Sequence, residues 1–148
     1  MHKITVLRFF LELSYKGTSY HGWQRQPNAV SVQQVLEDAL RTLLGEAIES
    51  VGAGRTDTGV HAKEMYAHLD AEISIDIAKE LAHRLNRFLP EAIAIHGIHA
   101  VTADAHARFD ATSRSYEYHI TTQKNPFNSE FAYAFNTPLD IDAMNTAA

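Results

Sequence analysis

Val51-Gly-Ala-Gly-Arg-Thr-Asp-Thr-Gly-Val-His-Ala62 separates two short apolar segments and reads as the loop of a strand pair built around a site. Three glycines (Gly52, Gly54, Gly59) free the backbone for φ > 0 or for close approach to a ligand. A connection made only to reverse direction needs about two to five residues and one glycine. This one is longer and carries Arg55, Asp57 and two threonines. Ile48 to Ala53 enters it as a short apolar run. Glu64 to Asp70 leaves it with Met65, Ala67 and Leu69 on one side, the period of a half-buried strand. The two runs are expected to pair antiparallel.

Outward from this pair the periodicity changes in a regular order. Residues 4–15 alternate, with Leu7, Phe9, Leu11, Leu13 and Tyr15 on one face, which predicts a strand. Ser31 is placed to cap a helix and Gln34 to close a capping box. Val32, Val35, Leu36, Ala39, Leu40, Leu43 and Leu44 form its apolar stripe, and Gly45 stops it. Ser74 or Asp76 caps a second helix with Ile77, Ala78, Leu81, Leu85, Phe88 and Leu89 as its stripe, ended before Pro90. Residues 93–101 predict a strand with Ile93, Ile95 and Val101 on one face. The order strand, helix, strand, strand, helix, strand predicts an α+β, ferredoxin-like βαββαβ unit, an antiparallel sheet with both helices on one face. Beyond it, Arg114 to Thr122 alternates as a further strand with Tyr116, Tyr118 and Ile120 on one face. Phe131 to Phe135 predicts another strand, and the run after Pro138 starts a helix.

The chain has 148 residues, no cysteine and a net charge of −5. Disulfides, thiolate metal sites and a cysteine nucleophile are thereby excluded. An acidic total argues weakly against a nucleic-acid partner, but the charge is uneven. Residues 1–63 hold seven Lys/Arg against six Asp/Glu, and residues 64–148 hold six against twelve. The acidic excess lies away from the glycine-rich loop, and a polyanion needs only a local basic groove. With no secretory-type leader and no bilayer-length apolar stretch, a cytoplasmic protein without a membrane partner is expected.

The segment from Lys16 to Val30 is a long loop that contains Tyr20, His21, Trp23, Gln24, Arg25 and Gln26. One reading makes Trp23 a plug at the edge of the core; the other makes the loop a stacking and hydrogen-bonding surface for a nucleotide. Asp57 is open in the same way. It either ties the loop to its own backbone amides, the usual work of a loop aspartate, or acts as a nucleophile or base beside Arg55. Asp57, His61, Glu64 and His68 do not fall into a recognisable metal frame, so no metal is expected. A nucleophile elbow and a phosphate loop are absent.

Gly52-Ala-Gly-Arg-Thr-Asp-Thr-Gly-Val-His-Ala62 resembles the catalytic motif of the tRNA pseudouridine synthase A family. Ser14-Tyr-Lys-Gly-Thr-Ser-Tyr-His-Gly-Trp-Gln-Arg-Gln-Pro-Asn28, with Ser31-Val-Gln33 after it, resembles the family's N-terminal signature. Ala107-Arg-Phe109 and Arg114-Ser-Tyr-Glu-Tyr118 resemble its second active-site strand. The resemblance covers essentially the whole chain. It implies isomerisation of uridine to pseudouridine at positions 38, 39 and 40 of the tRNA anticodon stem-loop, without metal or organic cofactor. By motif position, Asp57 corresponds to the catalytic aspartate, Tyr116 to the tyrosine that stacks on the target base, and Arg55 to the arginine beside the flipped nucleotide. Tyr20, Trp23 and Arg25 are then expected near the RNA backbone. Family members are longer, carry a second related half and form homodimers. The expectation is therefore a ferredoxin-like catalytic subdomain over 1–102, an incomplete second subdomain over 103–148, and an N-terminal fragment of low turnover. Two other classes compete: a non-catalytic RNA-binding module of the same fold, and a metal-dependent phosphoesterase using Asp57, His61 and His68. The RNA-recognition aromatic pattern is missing from Glu64 to Ala71.

Overall fold

The structure, a computed structural model, describes residues 5–148; Ile4, the first residue of the expected N-terminal strand, lies outside them. The chain forms two compact units, one through Thr112 and one from Ser113. In the first, β1 (Leu7–Tyr15), α1 (Val32–Leu44), β2 (Ser50–Gly52), β3 (Ala62–Ala71), α2 (Ile75–Phe88) and β4 (Ile93–Val101) follow the predicted order. All pairings are antiparallel and the sheet order is β2-β3-β1-β4, the ferredoxin-like arrangement.

Both helices begin and end for local reasons. Ser31 Oγ accepts the Gln34 amide at 3.2 Å, and Ser74 Oγ accepts the Ile77 amide at 3.2 Å. The first helix ends at Gly45, whose amide reaches the Arg41 carbonyl at 2.9 Å. The second ends at Leu89, which is extended, as a residue before proline must be. Phe9, Leu11, Leu13, Ala67 and Leu69 from the sheet share one core with Leu36, Leu40, Leu81 and Leu85 from the helices. The expected stripe of α2 is too wide by two residues. Ile77 and Phe88 are 45% and 52% exposed; both stand in phase with Leu81, in the first and last turns of the helix at the margin of its stripe.

Strand β4 departs from simple alternation. The partner of Glu12 is Gly97 but the partner of Leu13 is Ile95, so His96 is the extra residue of a bulge. The bulge reverses the parity: Ile98, not Val101, joins Ile93 and Ile95 in the core. As β4 is an edge strand, its outer backbone groups need a partner. Asn86 of α2 supplies one. Its Nδ2 donates to the Ile95 carbonyl and its Oδ1 accepts the Ile95 amide, both at 2.7 Å. Asn86→Ala leaves both backbone groups without that partner and is expected to destabilise the unit by about 2 kcal/mol, read as a lowered urea midpoint at unchanged slope.

Residues after β4 return across the helix-free face of the sheet. Arg8 donates to the Ala105 carbonyl at 3.0 Å and pairs with Asp70 at 2.8 Å. The Ala107 amide donates to Nδ1 of His68 at 3.0 Å, and the His106 ring meets His68 edge-on at 4.5 Å. Burial first, then the charge of Arg8 and the neighbouring His106, lower the pKa of His68, with Asp70 opposing. A folded-state pKa below the unfolded value of about 6.5 makes this contribution complete above pH 6.5. It is lost as the pH falls through the folded value. Unfolding free energy is expected to decline below about pH 6.5, and His68→Asn, which keeps an acceptor near the Nδ1 position, is expected to flatten that decline.

The second unit has a two-stranded parallel sheet, β5 (Ile120–Thr121) with β6 (Tyr133–Ala134), and helix α3 (Ile141–Ala147), capped by Asp140. The strand expected over 114–122 is thus confined to its last part, and the one over 131–135 to its middle. Alternating side chains make a strand only where a neighbouring backbone takes the ladder. Within this unit 114–118 have no partner strand, and Tyr116 and Tyr118 are 67% and 92% exposed.

Candidate active site

The loop between β2 and β3 is fixed from both flanks of Asp57. On one side the Thr56 carbonyl accepts the Trp23 amide at 3.3 Å, and Thr56 Oγ1 lies 2.8 Å from the Tyr15 hydroxyl. On the other, the Gly59 amide donates to the Tyr20 carbonyl at 3.2 Å. Asp57 to Val60 is a turn closed by the Val60 amide on the Asp57 carbonyl at 3.2 Å, with Gly59 at φ +81° as its third residue. Next along, His61 Nδ1 accepts the Gly17 amide at 3.0 Å.

Two glycines allow the first loop to lie this close. A Cβ on Gly22, whose φ is +74°, would stand 2.1 Å from the Thr56 carbonyl oxygen. One on Gly17 would stand 2.0 Å from that of Val60. The glycine-rich stretch is therefore held by the segment before it, through backbone bonds and the Thr56 and His61 side chains, and not by the Asp57 carboxylate.

Asp57 itself does not tie the loop. The backbone of Asp57 closes the turn, and among the described residues its carboxylate has no hydrogen bond or ion pair. The same holds for the guanidinium of Arg55. Both line a cleft of about 340 Å³, together with Thr56, Thr58, His21, Gln24 and Gln26. An exposed carboxylate and an exposed guanidinium on a backbone fixed at Thr56 and Gly59 form a preorganised site for a polar ligand.

The other candidates have different places. Trp23 is 2% exposed, stacked 6.2 Å from Tyr15, and its indole would collide with a Cβ at Gly52. Tyr20 is 7% exposed, and burial raises its hydroxyl pKa. Neither ring is presented to a base from solvent; both anchor the loop to the core, which is the plug reading of Trp23. The Arg25 guanidinium is paired to Glu37 at 3.0 Å and lies 3.6 Å from Asp38. Glu37, buried, also accepts from the Ser50 amide at 2.8 Å, the Ser50 hydroxyl at 2.9 Å and Gln33 Nε2 at 3.1 Å. Arg25 thus closes a buried network joining the loop, α1 and β2. Tyr116 belongs to the second unit. Asp57, His61 and His68 do not assemble as ligands: among the described residues no group of three acidic or histidine side chains could hold a metal.

Sequence reading missed Glu37 and Gln33, polar residues inside a helix whose apolar stripe drew attention away. Gln33 sits one position before Gln34, whose amide Ser31 caps, and Glu37 follows it by one turn. It named His21, Gln24 and Gln26 only as members of their loop and gave individual roles to Tyr20, Trp23 and Arg25.

No helix among the described residues is long and apolar enough to cross a membrane. A family model described as tRNA pseudouridine synthase matches residues 13–110. The chain is 51% identical over 146 residues to the tRNA pseudouridine synthase A of Bacteroides fragilis, covering 98% of this chain and 58% of that protein. It is 51% identical over 141 residues to the protein of the same name from Bacteroides thetaiotaomicron, covering 95% and 52%. A third, from Parabacteroides distasonis, is 51% identical over 140 residues, covering 95% and 56%. The chain thus spans about half the length of these curated relatives. With the matched region running from β1 through the Asp57 loop and β4, this chain belongs to the tRNA pseudouridine synthase family.

Proposed function

We propose that this chain supplies the nucleophile-bearing half of an enzyme that isomerises uridine to pseudouridine at positions 38–40 of the tRNA anticodon stem-loop. The observation that carries the reading is the Asp57 carboxylate: its loop is held by other residues, and it faces a cleft with no partner of its own. The reaction breaks the N1–C1′ bond of uridine, turns the uracil, and joins C5 to C1′. C5 loses its proton and N1 gains one, so nothing is oxidised or hydrolysed and the balance needs no co-reactant. A single carboxylate is enough to carry the base through this exchange, by attack on C1′ with uracil leaving or by addition to C6 of the ring. Either route uses Asp57.

The target base must leave its stack to reach Asp57. Arg55, on the same cleft wall, pairs with phosphate or fills the vacated space. Tyr116 stacks on the flipped uracil. Arg25, already bound by Glu37, sets the loop that carries the cleft and does not act as a free phosphate contact. Tyr20 and Trp23 hold that loop from below.

The test is tritium release from tRNA labelled at C5 of uridine, using the protein at its natural length, with pseudouridine mapped by sequence position. Release accompanied by pseudouridine at 38–40 supports the reading; binding of the same tRNA without release leaves a non-catalytic RNA-binding module in its place.

A further inference from the structure

The loop before α1 presents one side chain suited to reading the base itself. We propose that Gln24 recognises the N3–H edge of the target uracil both before and after the ring turns; this rests on the pseudouridine synthase reading of the cleft above. Gln24 follows Trp23, whose ring is buried, whose amide is bonded to Thr56 and whose carbonyl accepts the Gln33 amide at 2.9 Å. After it, the Arg25 amide donates to Gln33 Oε1 at 2.9 Å. The backbone on both sides of Gln24 is therefore fixed, while its own side chain is exposed, lines the Asp57 cleft and has no hydrogen bond among the described residues.

Its neighbours in the cleft are less suited. Gln26 Nε2 is engaged by the His21 carbonyl at 2.6 Å. A His21 imidazole offers one nitrogen to any one edge, not a coplanar donor and acceptor. The primary amide of Gln24 offers both. Uracil presents N3–H flanked by two carbonyl oxygens, O2 and O4. The amide oxygen accepts N3–H and the amide nitrogen donates to one flanking carbonyl.

The geometry of the reaction adds a second reason. Replacing N1 by C5 at the ribose requires the ring to turn by half a revolution about the N3–C6 axis. That turn exchanges O2 with O4 and returns N3–H to where it was. A group that grips N3–H and one flanking carbonyl therefore makes the same pair of bonds to uridine and to pseudouridine.

The experiment compares anticodon stem-loop RNAs carrying uridine or N3-methyluridine at the target position, bound by the natural-length protein. Binding is measured in an Asp57→Asn background, so that turnover does not enter. With Gln24 present, the uridine RNA is expected to bind at least about 10-fold more tightly than the N3-methyl RNA, as a site built around a hydrogen bond rejects an analogue lacking it. Gln24→Ala is expected to weaken uridine binding by about 10-fold and to remove most of that preference. Gln24→Glu, which keeps the acceptor and loses the donor, should fall between. Thermal melts of the exposed-site variants should coincide with the parent. Undiminished uridine binding by Gln24→Ala, or a preference that persists in it, overturns the proposal. Failure of the underlying reading shows differently, as pseudouridine formation surviving in Asp57→Asn whatever the binding data.

Discussion

Asp57→Asn, introduced into the natural-length protein, is expected to lower pseudouridine formation by at least about 10³-fold while leaving the fold intact. An amide keeps the size of the carboxylate and loses its nucleophilicity, so the chemical step fails and the cleft does not change shape. Stability should stay within about 0.5 kcal/mol of the parent, as expected for an exposed side chain that makes no contact holding the structure. The two readouts together separate the possibilities left by the sequence. Had the carboxylate tied the loop to its own amides, the substitution would cost stability; the turn is instead closed by the Asp57 backbone and held by Thr56 and Gly59. RNA affinity should change little, since the carboxylate is not among the groups that pair with phosphate.

Gly22→Ala is expected to have the second large effect, and through a different cause. At φ +74° an alanine carries the left-handed penalty of about 1–2 kcal/mol. Its Cβ would also sit 2.1 Å from the Thr56 carbonyl oxygen, a backbone atom that cannot rotate aside. Relief requires separating the two loops, at a further cost of about 1–3 kcal/mol. The bond from the Trp23 amide to Thr56 is then stretched or lost. As Thr56 precedes Asp57, the carboxylate moves with it, and a displacement of about 1 Å is enough for a 100-fold loss of rate. Denaturant unfolding and single-turnover kinetics on one preparation would show the paired losses. A variant with parental rate and stability would show that the two loops do not depend on each other.

Much of this arrangement was legible from residue order. The stripe from Val32 to Leu44 with Ser31 and Gly45 at its ends, and the alternation of Leu7 to Tyr15, depend on local period and caps, which a sequence states directly. The β4 bulge was not legible, because the parity change at His96 is set by register against Glu12 and Leu13 and by Asn86 from another element. The short strands of the second unit escaped for a related reason: the pattern from Arg114 to Thr122 specifies faces, not a partner backbone. In the loop before α1 the residue types suggested a nucleotide surface, but not which of them faced outward. Trp23 and Tyr20 went inward because large rings gain most from burial, and Arg25 went to the buried Glu37. That left His21, Gln24 and Gln26 on the cleft. The position of Asp57 in a glycine-rich loop was visible; the freedom of its carboxylate was not, because that follows from bonds made to its neighbours by a loop more than thirty residues away in sequence.

The central claim is that the Asp57 carboxylate bonds covalently to the target nucleotide. It is tested most directly with tRNA in which the target uridine carries fluorine at C5, where the departing proton would otherwise leave. Fluorine does not depart as a cation, so an adduct through C6 of the ring is retained, whereas attack on C1′ frees Asp57 again when C5 joins C1′. After denaturation and tryptic digestion, the peptide Thr56–Lys63, in which Asp57 is the only acidic side chain, is expected to carry the mass of the nucleotide on Asp57. A nucleotide found on any other residue, with Thr56–Lys63 recovered unmodified, would contradict it.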